Sequence, residues 1–235
     1  MRSCCEVYRT FRLKRDILIT MNPRTTSFFI GTMVVAMFTA GIIVYSHMPS
    51  SAASHWDMAG RATGFLPRFW AAFLAPSIAL ALWGLWALLP KIDPIAPGFK
   101  GFRYAYDFIW VLLTAFLAYI YALTLWANLG VSINMAYFVM PAVALLFIVL
   151  GAILPLIKRN WFVGIRTPWT LSSDLVWEKT HKVAAWLFIL AGVIVGISTF
   201  TSLTQNLWVI LTPLLLAALV PVAYSYILFL REKSS

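Results

Sequence analysis

The amino-acid sequence predicts an all-α polytopic membrane protein with six transmembrane helices and both termini cytoplasmic. Three observations carry that class. The 235 residues are 62% hydrophobic and only 11% charged, with a mean hydropathy of +0.85. A water-soluble domain of that composition would expose a very large apolar surface. Six runs of about 19 to 25 residues are free of Asp, Glu, Lys and Arg, the length that crosses a hydrocarbon core of about 30 Å. Finally, sixteen of the eighteen Lys and Arg fall on one side once the runs are threaded alternately through a bilayer.

The runs lie at 27–46, 68–89, 108–128, 135–157, 183–202 and 206–230, with Arg68 at the edge of the second. They are continuously apolar and lack period-two alternation, which favours helices, because a helix satisfies its own backbone hydrogen bonds in lipid. The cations gather in the N-terminal tail, in the loops after the second and fourth runs and in the C-terminal tail. Only Arg61 and Arg68 fall on the opposite side. That asymmetry predicts a multi-pass membrane protein, N-in and C-in. It also accounts for the net charge of +10 as topology determinants and contacts for membrane lipids. The cations are dispersed over four segments, so no direct contact with nucleic acid is expected.

The organisation that follows is a basic cytoplasmic tail (1–26), an N-terminal two-span region (27–106) with external loop 47–67, and a C-terminal four-span region (107–235) with internal loop 158–182. Met21-Asn22-Pro23-Arg24, directly before the first run, reads as an alternative start, which would make the first 20 residues non-native. Cys4 and Cys5 are adjacent and have no partners elsewhere in the sequence, which excludes a disulfide framework. Short external turns predict that spans three and four, and spans five and six, pack as antiparallel neighbours. Pro76, Pro141, Pro213 and Pro221 predict kinks within spans. Gly192 and Gly196 form a GxxxG that serves equally a packing face inside the bundle or a dimer contact.

Chemistry-bearing residues concentrate in two loops. The external loop carries His47, His55, Trp56, Asp57 and Gly60, candidates for contact with an external ligand. Two His and an Asp in eleven residues have the donor chemistry of a zinc site, but the spacing matches no zinc motif. The simpler reading is a folded loop whose His55 and Asp57 bond its own backbone, with Asp57 pairing Arg61 or Arg68. No metal and no cofactor are expected.

The internal loop carries Asn160, Gly164, Arg166, Thr167, Pro168, Trp169, Trp177, Glu178 and His181. Pro168 biases Thr167 towards an extended conformation. Ser172 or Ser173 caps a helix beginning at Asp174, and Glu178 and Lys182 form a favourable i,i+4 pair. Arg166 is expected to be held by Asp174 or Glu178 and by stacking on a Trp. The loop then reads either as an interfacial re-entry anchored by Trp or as a cytoplasmic docking platform. No catalytic constellation is recognisable, and spans without charged residues argue against ion-coupled transport.

The run Gly164 through Leu171, preceded by Pro155, Lys158, Arg159, Asn160 and Trp161 and followed by Trp177, Thr180 and His181, resembles the signature of the SdpI-type immunity family. Pro49, His55, Trp56 and Gly60 resemble the small N-terminal domain associated with it. The resemblance implies six spans and resistance to a secreted membrane-active peptide toxin met outside the cell. In the best-studied branch it also implies capture of a cytoplasmic regulator at the inner face. Two other function classes stay open: a small transporter or lipid-handling protein, and a membrane enzyme with a site at His47, His55 and Asp57 or at Arg166 and His181.

Overall fold

The computed structural model describes residues 22–95, 99–201 and 206–233. The expectations for Cys4 and Cys5, for the tail before Asn22 and for the turn at 203–205 lie outside these residues. The chain is mostly helical. Six of its helices are long and apolar enough to cross a membrane.

Helix α1 (Pro23–Val44) begins at an Asn-Pro step in which the Asn22 side chain accepts a hydrogen bond from the N–H of Arg24 and Pro fills the first turn, where no N–H is needed. A 3₁₀ turn (Tyr45–His47) leads to strands β1 (Ser51–Trp56) and β2 (Ala62–Pro67). There follow α2 (Arg68–Ile92), α3 (Phe99–Asn128) and α4 (Met135–Ile153). A short α5 (Pro168–Ser172) precedes α6 (Asp174–Ser198) and α7 (Leu207–Lys233). The third and fifth spans start nine residues earlier than their apolar runs, because the charged inner turns are helical too. Pro76, Pro141, Pro213 and Pro221 all lie inside continuous helices.

The all-α expectation is corrected at the external loop, where β1 and β2 form an antiparallel hairpin pairing Ala52 with Leu66 and Trp56 with Ala62. The Asp57–Arg61 turn closes it, with the Asp57 N–H donating to the Arg61 carbonyl at 2.9 Å. Asn128, at the end of α3, satisfies the free edge of β1. Its side chain accepts from the N–H of Ala53 at 2.7 Å and donates to the same residue's carbonyl at 2.9 Å, as a neighbouring strand would.

The helices pack three and three. Helix α1 lies against α2 and α3, whereas α6 lies between α4 and α7. The expected pairing of spans five and six is present, as α6 against α7. The third and fourth spans also touch, with the Tyr119 hydroxyl donating to the Phe138 carbonyl at 3.2 Å, but α4 makes its main contact with α6. The reason is close backbone approach. A Cβ on Gly192 would stand 2.6 Å from the Ala144 carbonyl of α4, and one on Gly151 would stand 2.8 Å from the Ala185 carbonyl of α6. Gly192 therefore serves the interior of the bundle.

The spans are also not free of charge. Asp107, fully buried near the inner end of α3, accepts hydrogen bonds from the Trp86 indole at 2.8 Å and the Arg103 guanidinium at 2.9 Å. The guanidinium lies over the Trp86 and Tyr106 rings. Pairing and hydrogen bonding are what make a buried carboxylate tolerable, and here they join α2 to α3.

Candidate functional site

At the end of the bundle that carries both chain ends, the segment between α4 and α6 is built around Asn160. Its fully buried side chain donates to the carbonyls of Lys158 and Val163 at 2.9 and 2.8 Å. It also accepts from the N–H groups of Phe162 and Val163 at 2.8 and 2.7 Å. One amide thus satisfies four backbone groups that no helix or strand could serve. The chain then passes through Gly164 at φ +114°, where a Cβ would stand 2.5 Å from Nε2 of His181.

Next comes an N-terminal helix cap. Thr167 is extended (φ −120°, ψ 159°), as its position before Pro168 requires. Its hydroxyl accepts from the Thr170 N–H at 3.1 Å, while the Thr170 hydroxyl accepts from the Thr167 N–H at 2.8 Å. This reciprocal pair starts α5. Trp169 donates its indole N–H to the Ser225 hydroxyl of α7 and packs against Tyr226. Ser173 caps α6 by accepting from the Val176 N–H.

Under this loop, Trp177 and His181 stack with ring centroids 4.2 Å apart, both buried. Trp177 donates its indole N–H to the Ile157 carbonyl at 2.8 Å. His181 has its Nδ1 2.8 Å from the Trp177 carbonyl and accepts from the Ile165 N–H on Nε2 at 3.1 Å. That arrangement fits only the neutral ring protonated at Nδ1. Both nitrogens are committed to the backbone, leaving none to act as a base or ligand.

The expected anchoring of Arg166 is overturned. Its guanidinium donates to the Trp161 carbonyl at 2.8 Å and is otherwise exposed. Asp174 is taken by Arg159 at 2.7 Å, and Glu178 by Lys182 at 2.6 Å. Arg159 wins because it also bonds the Leu171 carbonyl at 2.6 Å, so its guanidinium is already fixed beside the start of α6. Asp93, a residue the sequence did not single out, accepts from the Ile95 N–H at 2.7 Å and from the Trp161 N–H at 3.0 Å. It ties the end of α2 to the inner loop.

At the opposite end of the bundle, the hairpin does not bring the two His and the Asp into one site. His47 lies beside the Ser46 hydroxyl and His55 beside the Ser54 hydroxyl, with the His55 ring over Gly64. Asp57 binds the Arg61 side chain at 2.8 Å and accepts from the N–H groups of Ala59 and Arg61. The Arg61 backbone N–H is the main reason its carboxyl sits below the usual pKa, with burial opposing and the Arg61 side chain reinforcing. Arg68 instead lies over the Tyr45 ring. Gly60 (φ +78°) seats the hairpin tip on Asn134, the cap of α4. Met58 packs against a cluster of Ala144, Val195 and Ile210 from α4, α6 and α7.

Residues 156–225 match the SdpI/YfhL protein family. Residues 32–80, which include the hairpin, match a domain of unknown function (DUF1648). The whole chain is similar to Immunity protein SdpI of Bacillus subtilis (strain 168), 22% identical over 197 residues that cover 83% of this chain and 91% of that protein. No solved structure matches.

Most of the polar residues in the SdpI/YfhL signature are therefore scaffold. Asn160, Thr167, Trp177 and His181 spend their polar atoms on the loop itself. Of the internal-loop candidates named from the sequence, Arg166, Pro168 and Glu178 are exposed. Ser225, within the apolar run 206–230, and Asp93 and Met58 were not singled out from the sequence.

Proposed function

We propose that the chain is an immunity protein of the bacterial plasma membrane, with both termini cytoplasmic, that protects its cell against a secreted membrane-active peptide toxin. The observation that carries this reading is the extent of the likeness to an immunity protein, 91% of whose length is covered. The one-sided distribution of Lys and Arg supports the orientation. In this reading the hairpin carrying His55, Trp56 and Asp57 is the toxin-facing element. The exposed Arg166, Pro168 and Glu178 are the surface for a cytoplasmic regulator.

The geometry supplies a path between the two faces. Met58 fastens the hairpin to α4, α6 and α7 on the outside, and Asp93 fastens α2 to the SdpI/YfhL domain on the inside. A peptide that shifted the hairpin would act on both groups of helices. A membrane enzyme is the weaker reading, because the buried imidazole of His181 has no free nitrogen and the external His and Asp residues keep separate partners.

The test is survival of peptide-sensitive bacteria carrying the protein at a verified membrane level. They should grow at peptide doses that kill the parent strain, and unchanged killing by every membrane-active peptide of a panel would overturn the reading. Single cysteines at positions 50–64 should react with an impermeant reagent in intact cells, and those at 160–175 only after permeabilisation. External labelling at position 170 would reverse the topology.

A further inference from the structure

Between the inner loop and the start of α6 lies a cleft of about 430 Å³, within the range of about 300–1,000 Å³ typical of ligand pockets. We propose that it binds the head group of an aminophospholipid, a phosphate ester carrying a primary ammonium. The inference goes beyond immunity and does not depend on it.

The lining divides by polarity in the way an amphiphile requires. Its polar lining brings Lys158 and Arg159 together with Glu178 and Asp174, Arg159 and Asp174 being ion-paired at 2.7 Å. Ile95, Pro155 and Ile157 form an apolar margin, next to the exposed Leu156. The floor is the Trp177–His181 stack, whose polar atoms are already spent on the backbone, so it offers ring surface and no reactive group. The site is therefore built for binding. It also lies where α4 ends and α6 begins, at the boundary between apolar span and charged loop, which is the depth of a lipid head group.

Charge decides which head group fits. The four ionic side chains of the cleft carry two positive and two negative charges, a balance that gives no advantage to a purely anionic lipid. The Lys158 ammonium makes no hydrogen bond or ion pair among the described residues, though its charge reaches the Glu178 carboxylate, leaving N–H donors for a phosphate oxygen. Glu178 is hydrogen-bonded by Lys182, in a surface pair 61% and 58% exposed. Such pairs are weak enough to exchange partners. Its carboxylate can thus accept hydrogen bonds from a primary ammonium. A quaternary ammonium has no N–H to give, so a choline head group loses this contact.

The experiment is lipid titration of the full-length, delipidated protein in detergent, read by native mass spectrometry. Phosphatidylethanolamine, phosphatidylglycerol and phosphatidylcholine of matched acyl chains are compared with soluble glycerophosphoethanolamine. One phosphatidylethanolamine per chain should bind at least about tenfold more tightly than either other lipid, the scale of one charge-assisted hydrogen bond. Glu178→Gln should abolish the preference over phosphatidylcholine, and Lys158→Ala should weaken all three lipids. Both side chains are exposed, so an unchanged helical signal and Tm will confirm folding.

Equal binding of the three lipids, or a preference over phosphatidylcholine that survives Glu178→Gln, would overturn the proposal. Soluble glycerophosphoethanolamine binding as tightly as the lipid would replace it with a site for a free phosphate ester. A protein segment from cell extract occupying the cleft, with no lipid adduct, would assign it to a partner instead.

Discussion

The outer hairpin and the inner loop are both irregular segments joining apolar helices, yet they are held in different ways. The hairpin is shaped by its own backbone pairing and rests on the bundle through a few side chains: Asn128, Asn134 and Met58. The inner loop has no backbone ladder, and side chains take its place, with Asn160, Thr167, Thr170, Trp177 and His181 each bonding main-chain groups. A segment of the first kind can lift off without losing its form. One of the second kind loses its form when a single side chain is removed.

The sharpest way to break that comparison is Asn160→Ala. It removes the partner of four part-buried main-chain groups at once, and at roughly 1–3 kcal/mol for a fully buried unsatisfied group, with water reaching some of these, the loss should reach about 3 kcal/mol. Thermal unfolding in detergent should show the largest drop in Tm of any loop variant. Asn160→Asp, which keeps the acceptor and loses both donors, should fall between. A change in Tm within error for Asn160→Ala would mean that the inner loop is held by something other than this amide.

On the outer face, Asn128→Ala removes the two bonds to Ala53 but leaves the β1–β2 pairing intact. The expected cost is about 1–2 kcal/mol, and it should be local. Hydrogen exchange should quicken at Ala53 and around the Met58 seat, while the inner loop keeps its protection. Equal acceleration at Ile165 would show that the two faces unfold together and that the contrast between them is false.

How much of this was legible in the sequence follows from the same contrast. Helices were legible because burial in lipid demands long unbroken apolar runs. The extended Thr167 was legible because Pro168 follows it, and the cap of α6 was narrowed to Ser172 or Ser173 before Asp174, whereas the capping role of Thr167 and helix α5 were not legible. The hairpin was not, because its strands are short and bury little beyond Ala52, so no apolar alternation marks them. Its turn did leave a trace in Asp57 and Gly60, flanked by residues of the same register. Arg166 was given the wrong partners because nearness in sequence ranks Asp174 and Glu178 first. Folding of α5 instead turns Asp174 towards Arg159. Asp93 was invisible, since its bond to Trp161 spans 68 residues and no local pattern announces it.

The smallest structural effect belongs to Arg166, and it bears most directly on function. Of its five N–H donors, the structure engages Nη1, on the Trp161 carbonyl, and a lysine ammonium can make one such bond. Arg166→Lys should therefore leave stability within about 0.5 kcal/mol, as an exposed substitution does. The remaining donors form a planar fork facing outward from a loop whose other polar groups are mostly consumed, a geometry suited to a carboxylate of a partner protein and not reproduced by Lys. Arg166→Lys is thus expected to lower protection of peptide-challenged cells nearly as far as Arg166→Ala does, with Tm and membrane level unchanged in both. Full protection by Arg166→Lys would reduce the residue to one more positive charge on the inner face. A large fall in Tm would mean that Arg166, like Asn160, belongs to the scaffold.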